Sequence, residues 1–293
     1  MLRLRDRTLV APTGEPLIMG IVNASPESFS DGGMFDGLDA QVARAEELVA
    51  RGAAIIDVGG ESGVTGVDPV AADDEIRRVA PLVARLIGLG MVVSVDTWKS
   101  AVARAVLAEG AHLINDVSGL RDIDLALACA ETGAGIVLVH TRAEPKRKDF
   151  PHYDDVVVDV VEFLRERMAT AIGVGVAVDS IVLDPGPDFA KTPAQTIEVL
   201  NHLDAVVALG RPVLLAVSRK DFVGALTLRR PRERDAGTLA AVADGVDRGA
   251  SIVRVHDVAA VHDYFTVRAA LRGERPVDPE LTLPIELRRE PPT

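Results

Sequence analysis

Eight short runs of valine, isoleucine and leucine recur along the chain. They are Leu17–Val22, Ile55–Val58, Val92–Val95, Leu113–Ile114, Ile136–Val139, Ile181–Leu183, Val213–Val217 and Ile252–Val255. The runs are near-continuous and show no alternation of apolar with polar residues, as in strands buried on both faces of a parallel sheet. Between them lie alanine-rich amphipathic stretches of helical period, such as Gln41–Arg51 and Ser100–Glu109. Several stretches end in a Gly-Ala pair just before the next run: Gly52–Ala53, Gly110–Ala111, Gly133–Ala134 and Gly249–Ala250. Glycine there suits a helix C-cap that turns the chain back toward the sheet. Eight β/α repeats predict an α/β protein with a closed (β/α)8 TIM barrel, in a single domain over residues 1–273. An open doubly wound sheet would want a GxGxxG fingerprint after its first strand, and Asn23–Gly33 has none. The Pro-, Arg- and Glu-rich tail, 274–293, is expected to lack regular structure and to be poorly ordered.

Composition narrows the picture. A chain of 293 residues suits a fold that typically needs about 250. Aromatic residues make up 3%, so aliphatic side chains must fill the core. The formal net charge of −12 argues against a general nucleic-acid or anionic-membrane surface, and any anionic ligand must meet a few local cations. Cys129 is the single cysteine; it excludes an intramolecular disulfide and reads as buried filler. The N-terminus has no signal-peptide core and no apolar run reaches membrane-spanning length, so a soluble cytoplasmic protein is expected.

Barrels of this kind build their sites at the C-terminal strand ends, and the polar residues collect there. Asn23 follows the first run, Glu61 the second, Asp96 the third and Asn115–Asp116 the fourth. His140, Asp184, Ser218–Arg219–Lys220 and the Arg254/His256 pair complete the ring. So many buried polar groups in register are costly unless they serve a convergent site. Asp96, Asn115 and Asp184 offer acceptors and an amide that match a flat heterocycle with several N–H groups and a carbonyl; Lys220 could donate to that carbonyl. Asn23, Arg254 and His256 form a small cationic or metal-assisted corner suited to phosphate. No spacing suggests a permanent zinc site, and Ser218 has no evident base. Phe189 and His140 are each open between a core role and a site role; Asp184 could fix a turn and Lys220 could be a surface cation. Trp98 reads as helix packing.

Seven ordered blocks carry a resemblance. NASPESFSDGG (23–33), DVGGES (57–62), SVDTWKS (94–100), LINDVSGL (113–120), LDPGPDFAKT (183–192), SRKDFVG (218–224) and RVHDV (254–258) resemble dihydropteroate synthase. The resemblance implies a transferase of folate biosynthesis that condenses a 6-hydroxymethyl-dihydropterin pyrophosphate with 4-aminobenzoate or a related aromatic amine and releases pyrophosphate. It also implies a homodimer. Asp96, Asn115, Asp184 and Lys220 would hold the pterin. Asn23, Arg254 and His256 would hold pyrophosphate, with Mg²⁺ at Asn23. Asn23, Lys220, Arg254 and His256 would carry the catalysis, and Phe189, Ser218, Arg219, Asp221, Gly63 and Val64 would border the acceptor.

Departures gather on the acceptor side. Where the family's second loop carries Thr and Arg, this chain has Gly63 and Val64, losing a hydroxyl and a forked cation. A family Ser near the acceptor carboxylate is Asp221, a charge expected to oppose 4-aminobenzoate. Gly-Phe-Gly-Lys becomes Asp188-Phe189-Ala190-Lys191, and His-Met-Arg-Gly becomes His140-Thr141-Arg142-Ala143. The pattern resembles the divergent second synthase-like copy of some actinobacteria. The competing readings are a pterin-binding paralogue with a different acceptor or no turnover, and a methyltetrahydrofolate methyltransferase. The latter should lack the Ser-Arg-Lys and Arg-x-His blocks that this chain has.

Overall fold

The computed structural model describes residues 1–24, 37–63 and 65–288. Eight parallel strands form the barrel: β3 (Leu17–Asn23), β4 (Ile55–Gly59), β5 (Val93–Asp96), β6 (Leu113–Asp116), β7 (Gly135–Val139), β8 (Ile181–Asp184), β9 (Leu214–Leu215) and β10 (Ile252–Val255). Sequential strands are hydrogen-bonded neighbours from β3 to β8, and β10 lies between β3 and β9. A parallel bridge from Leu183 to Val213 closes the ring between β8 and β9. The seventh expected run, Val213–Val217, is buried throughout, but its ladder is only Leu214–Leu215. Around the barrel run α1 (Leu38–Ala50), α2 (Ala72–Gly88), α3 (Ser100–Ala108), α4 (Ile123–Thr132), α5 (Val156–Gly173), α6 (Pro193–Asn201), the short α7 (Leu203–Val207), α8 (Asp221–Thr227), α9 (Asp235–Asp247) and α10 (Val258–Leu271). The expected glycine stop is clearest at Gly133, which ends α4 with φ 70, a conformation that costs residues with a Cβ.

The apolar runs split by alternation into two packing groups. Ile18, Ile56, Val95, Ile136, Leu183, Leu215 and Val253 pack with the helices. Met19, Ile55, Leu113, Val137, Val182, Leu214 and Ile252 pack together as the barrel interior. Both faces of each strand are therefore buried, which is why the runs do not alternate with polar residues.

A two-stranded hairpin, β1 (Leu2–Leu4) and β2 (Arg7–Leu9), precedes the barrel and was not among the expected elements. Leu2 and Leu4 are 1% and 0% exposed and belong to the interior group, so the hairpin stoppers the N-terminal end. Arg5 fastens it through Nη1 to the carbonyls of Leu107 at 2.7 Å and Ala111 at 3.2 Å. At the other terminus, residues 274–288 lie on the surface, with one 3-10 turn at Ile285–Leu287. No described helix is long and apolar enough to cross a membrane.

Candidate active site

Side chains two residues apart on a strand share a face. From Ile55, Leu113, Val182 and Ile252 in the interior, one such step toward the C-terminal strand ends reaches Asp57, Asn115, Asp184 and Arg254. The polar layer is thus the barrel's own alternation, continued with different residue types. Above it opens a cavity of about 530 Å³. Asp96, Asn115, Asp184, Phe189, Ser218, Arg219, Lys220, Asp221, Gly63 and Arg254 line it. These residues come from six different strand ends and loops, as the sequence predicts.

The floor is organised by a residue the sequence reading missed. Asp57 is fully buried; its Oδ2 accepts from Arg254 Nε at 2.6 Å and from Asn115 Nδ2 at 3.3 Å. Arg254 also donates through Nη2 to Asp96 at 3.0 Å. One guanidinium thus serves two carboxylates and retains donors for an anion. Burial pushes the Asp96 carboxyl up to about 7; Arg254 pulls it back and the charge of Asp57 adds to the rise. Burial also raises Asp184, opposed by the Gly186 N–H, which donates to its Oδ1 at 2.7 Å, and by Lys220. Asp184 therefore fixes the turn and lines the cavity at once. Asn115 Oδ1 and Asp57 Oδ1 are buried with no hydrogen-bond partner among the described residues, acceptors of the kind a bound heterocycle would satisfy.

Lys220 lines the cavity and is not a surface cation. Its Nζ donates to the Pro187 carbonyl at 3.0 Å and lies 4.2 Å from the centre of the Phe189 ring. Burial lowers its pKa against the pull of Asp188 and Asp184. Phe189 accordingly belongs to the cavity wall. The phosphate corner needs a correction. Burial, with Arg219 and Arg254 nearby, pushes His256 down to about 4, so it offers a neutral ring and not a second cation. Ser218 Oγ accepts from the His256 backbone N–H at 3.3 Å and lies 2.9 Å from Nδ1. The tautomer of His256 sets which of the two groups donates in that bond. Asn23, with its side chain exposed, ends β3 beside Gly59.

Two further expectations change, at Trp98 and Asp221, and the open reading of His140 closes. Trp98 sits before α3, not within a helix, and lines the cavity, with Lys99 Nζ 4.6 Å from its ring centre. His140 is fully buried behind the cavity, bonded to Asp159 at 2.8 Å and to Lys191 Nζ at 2.7 Å. Asp221 is not an open negative charge. Lys148 lies 2.7 Å from it and Arg234 3.2 Å, and these partners, Lys148 first, hold its carboxyl below the usual range. Asp116 serves the following turn, accepting from Ser118 and Leu120. Cys129 is buried with its thiol pushed up to about 12 by burial, a filler as expected. Val64 and most of the first loop, 25–36, lie outside the described residues.

The loop after β8 keeps its shape despite its substitutions. Asp188 and Ala190, where the family pattern has glycine, hold φ of 62 and 52, a strain that surrounding bonds must support. Lys191, 1% exposed, donates to the carbonyls of Gly186 at 2.9 Å and Phe189 at 3.1 Å. Tyr153 donates to the Ala190 carbonyl at 2.9 Å. Asp188 Oδ2 accepts from the backbone N–H groups of Asp221 at 2.5 Å and Phe222 at 3.3 Å, stapling this loop to the start of α8. Neither Lys191 nor Asp188 has a strand register to mark it, because both act through loop tertiary contacts.

Comparison with known proteins agrees with this geometry. Residues 19–256 match the family model described as pterin binding enzyme. The chain is 44% identical over 244 residues to the dihydropteroate synthase of Bacillus subtilis, covering 83% of this chain and 84% of that protein. A dihydropteroate synthase of Xanthomonas albilineans, solved with 4-aminobenzoic acid, superposes with a TM-score of 0.82 at 43% identity over 88% of this chain and 93% of that one. The Yersinia pestis enzyme, solved with a sulfonamide drug complex, gives 0.86 at 36% identity over 93% and 99%. The chain belongs to the dihydropteroate synthase family of pterin-binding enzymes.

Proposed function

We propose that this chain joins the methylene carbon of 6-hydroxymethyl-dihydropterin pyrophosphate to the amine of 4-aminobenzoate, releasing pyrophosphate and forming dihydropteroate for folate biosynthesis. The observation that carries the reading is the convergence of Asp96, Asn115, Asp184, Lys220 and Arg254 on one cavity at the C-terminal strand ends. Asp96, Asn115 and Asp184 take the ring N–H groups, and Lys220 donates to the ring carbonyl. Phe189 and Lys220 bound the ring on one side. Arg254 meets the pyrophosphate as a cation and His256 as a neutral N–H donor. As the C–O bond breaks, its electron pair leaves with the pyrophosphate oxygen, and donors already held in place stabilise the growing charge. The amine lone pair then forms the C–N bond and the nitrogen sheds a proton.

Mg²⁺ fits the donor set. Asn23 supplies one amide oxygen, and Mg²⁺ is commonly held by one or two protein ligands together with substrate phosphates and water. Among the described residues no group of three His, Cys, Asp or Glu could hold a metal ion unaided, so Asn23 would share the ion with the pyrophosphate. When bound, the ion would neutralise charge on the leaving group.

Phe189, Ser218 and Arg219 border the acceptor, and Lys148 and Arg234 offset the charge of Asp221 there. A homodimer is supported by apolar side chains exposed on α8 and α10, among them Leu226, Val267 and Leu271. The single buried cysteine suits a reducing, cytoplasmic setting. The deciding experiment follows pyrophosphate and dihydropteroate together, from dihydropterin pyrophosphate with and without 4-aminobenzoate. Equal yields of both products support the reading. Tight pterin binding with neither product would leave a binding protein instead.

A further inference from the structure

The cavity mouth contains a cross-loop contact centred on Lys146, in the segment between β7 and α5. Its backbone is left-handed, φ 68, which a residue with a side chain holds only when its surroundings insist. Its side chain is 7% exposed and reaches the loop between β4 and α2, where Nζ lies 3.0 Å from Glu61 Oε1. The same ammonium donates to the Ser62 carbonyl. The bond is returned through the main chain, since the Gly66 N–H donates to the Lys146 carbonyl at 3.0 Å.

Glu61 is itself fixed. Its side chain is 3% exposed, Lys99 lies 2.7 Å from Oε2, and the Val70 N–H donates to Oε1 at 3.1 Å. Lys99 also pairs with buried Glu75 at 2.5 Å. Two carboxylates and two ammonium groups balance in charge, and the lysine hydrogen bonds outweigh burial to keep Glu61 below the usual carboxylate range. The neighbouring Ser62, Gly63 and Thr65 have no regular secondary structure and line the cavity. They form part of the wall of the same cavity whose floor carries Asp96, Asn115 and Asp184, and none of these bonds reaches those three residues.

We propose that Lys146 is a positioning residue for the amine acceptor: by clasping Glu61 and Ser62 it holds the cavity wall against which the aromatic amine binds. The inference rests on the condensation reading for the identity of that amine. Nothing in the strand-end pattern marks Lys146, because it acts across two loops.

The test compares Lys146→Met, which keeps the length of the side chain but not its charge, with Lys146→Arg. Lys146→Met should leave dihydropterin affinity within about two-fold, raise the KM for 4-aminobenzoate about ten-fold and change kcat by less than about three-fold. Lys146→Arg should restore most of the KM. Amide hydrogen exchange across residues 61–70 should accelerate in the Met variant and return in the Arg variant. An unchanged acceptor KM in Lys146→Met overturns the proposal. So does a matching loss of pterin affinity, which would make the residue a general support of the barrel mouth. If the parent protein forms no dihydropteroate, it is the reaction that fails. The clasp is then decided by calorimetric binding of 4-aminobenzoate in the presence of dihydropterin and pyrophosphate, where unaltered affinity and exchange in Lys146→Met overturn it.

Discussion

Asp57→Asn tests how the floor of the site manages its charges. Asp57 and Asp96 share the Arg254 guanidinium, at 2.6 and 3.0 Å, so both carboxylates face one cation. Carboxylates bridged this way stand about 5 Å apart and repel by about 3 kcal/mol at an effective dielectric of about 20. That corresponds to about two pKa units, and the intervening guanidinium reduces it to about one. Asp96 is pushed up to about 7 by burial, with Asp57 adding to the rise. Replacing Asp57 with Asn removes the like charge, so the Asp96 carboxyl should fall toward about 6. An ionised Asp96 accepts the ring N–H more strongly, so dihydropterin affinity in the parent should climb as pH rises through about 7. In the variant the climb should come about one unit lower.

Stability carries the same signature. A carboxyl raised in the fold contributes stability below its unfolded value, and that contribution is lost as pH rises through the folded value. For Asp96 the window runs from the ordinary carboxyl value of 3.8 to about 7. Asp57→Asn loses a charge-assisted bond worth about 1.5–3 kcal/mol. Above the window it also relieves repulsion, so its penalty should be smaller at about pH 8 than at about pH 5. Calorimetric titrations and thermal melts across that range provide both readouts. A binding midpoint that stays put or moves up, together with equal penalties at both ends, would refute the reasoning.

Three other outcomes are expected. Asp184→Ala should abolish dihydropterin binding while the barrel stays folded, losing about 1–3 kcal/mol with the Gly186 bond; undiminished calorimetric affinity would remove Asp184 from the pterin site. Lys191→Met should destabilise by about 2–3 kcal/mol, because the Gly186 and Phe189 carbonyls lose their buried donor, and a fall in dihydropterin affinity should accompany the lower melting temperature. Burial pushes Lys191 down to about 7, so the parent should gain stability as pH rises from there toward the unfolded lysine value, and this gain should vanish in the variant. Asp221→Ser should alter the KM for 4-aminobenzoate by less than about two-fold, because Lys148 and Arg234 already offset that charge; a ten-fold improvement in steady-state kinetics would show an open repulsion after all.

The barrel was legible because strand burial on two faces leaves an unmistakable run of aliphatic residues, and each such run became a strand or, at Val213–Val217, a buried segment with a short ladder. Asp96, Asn115, Asp184, Lys220 and Arg254 were legible because a polar residue at the end of such a run has few other reasons to be there. Asp57 was hidden by its place inside Ile55–Gly59, although its two-residue offset from Ile55 put it on the interior face. The charge state of His256 depends on burial and on neighbouring arginines, neither of which spacing reveals. The same holds for Asp221, whose partners Lys148 and Arg234 lie 73 and 13 residues away. Trp98 was given no role because its place at the cavity comes from the loop before α3, which begins at Ser100. The hairpin had a signal in Leu2-Arg3-Leu4, alternating as a half-buried strand should, but three residues are too few to count.

That hairpin also sets an order of assembly. It is made before the barrel strands, yet its seat is made of residues that emerge much later. Leu4 occupies the space that a side chain on Gly135 would fill, and Arg5 anchors to carbonyls more than 100 positions along the chain. The last interior partner of Leu2 and Leu4, Ile252, arrives only with the final strand. Docking of the N-terminus is therefore a closing event of folding, with a long loop to shut before any contact repays it. In a nascent or partly unfolded chain, the barrel base stands open with its aliphatic lining uncovered. The hairpin thus waits on later chain: its seat at Leu107, Ala111, Gly133 and Gly135 must form before Leu4 and Arg5 have somewhere to go.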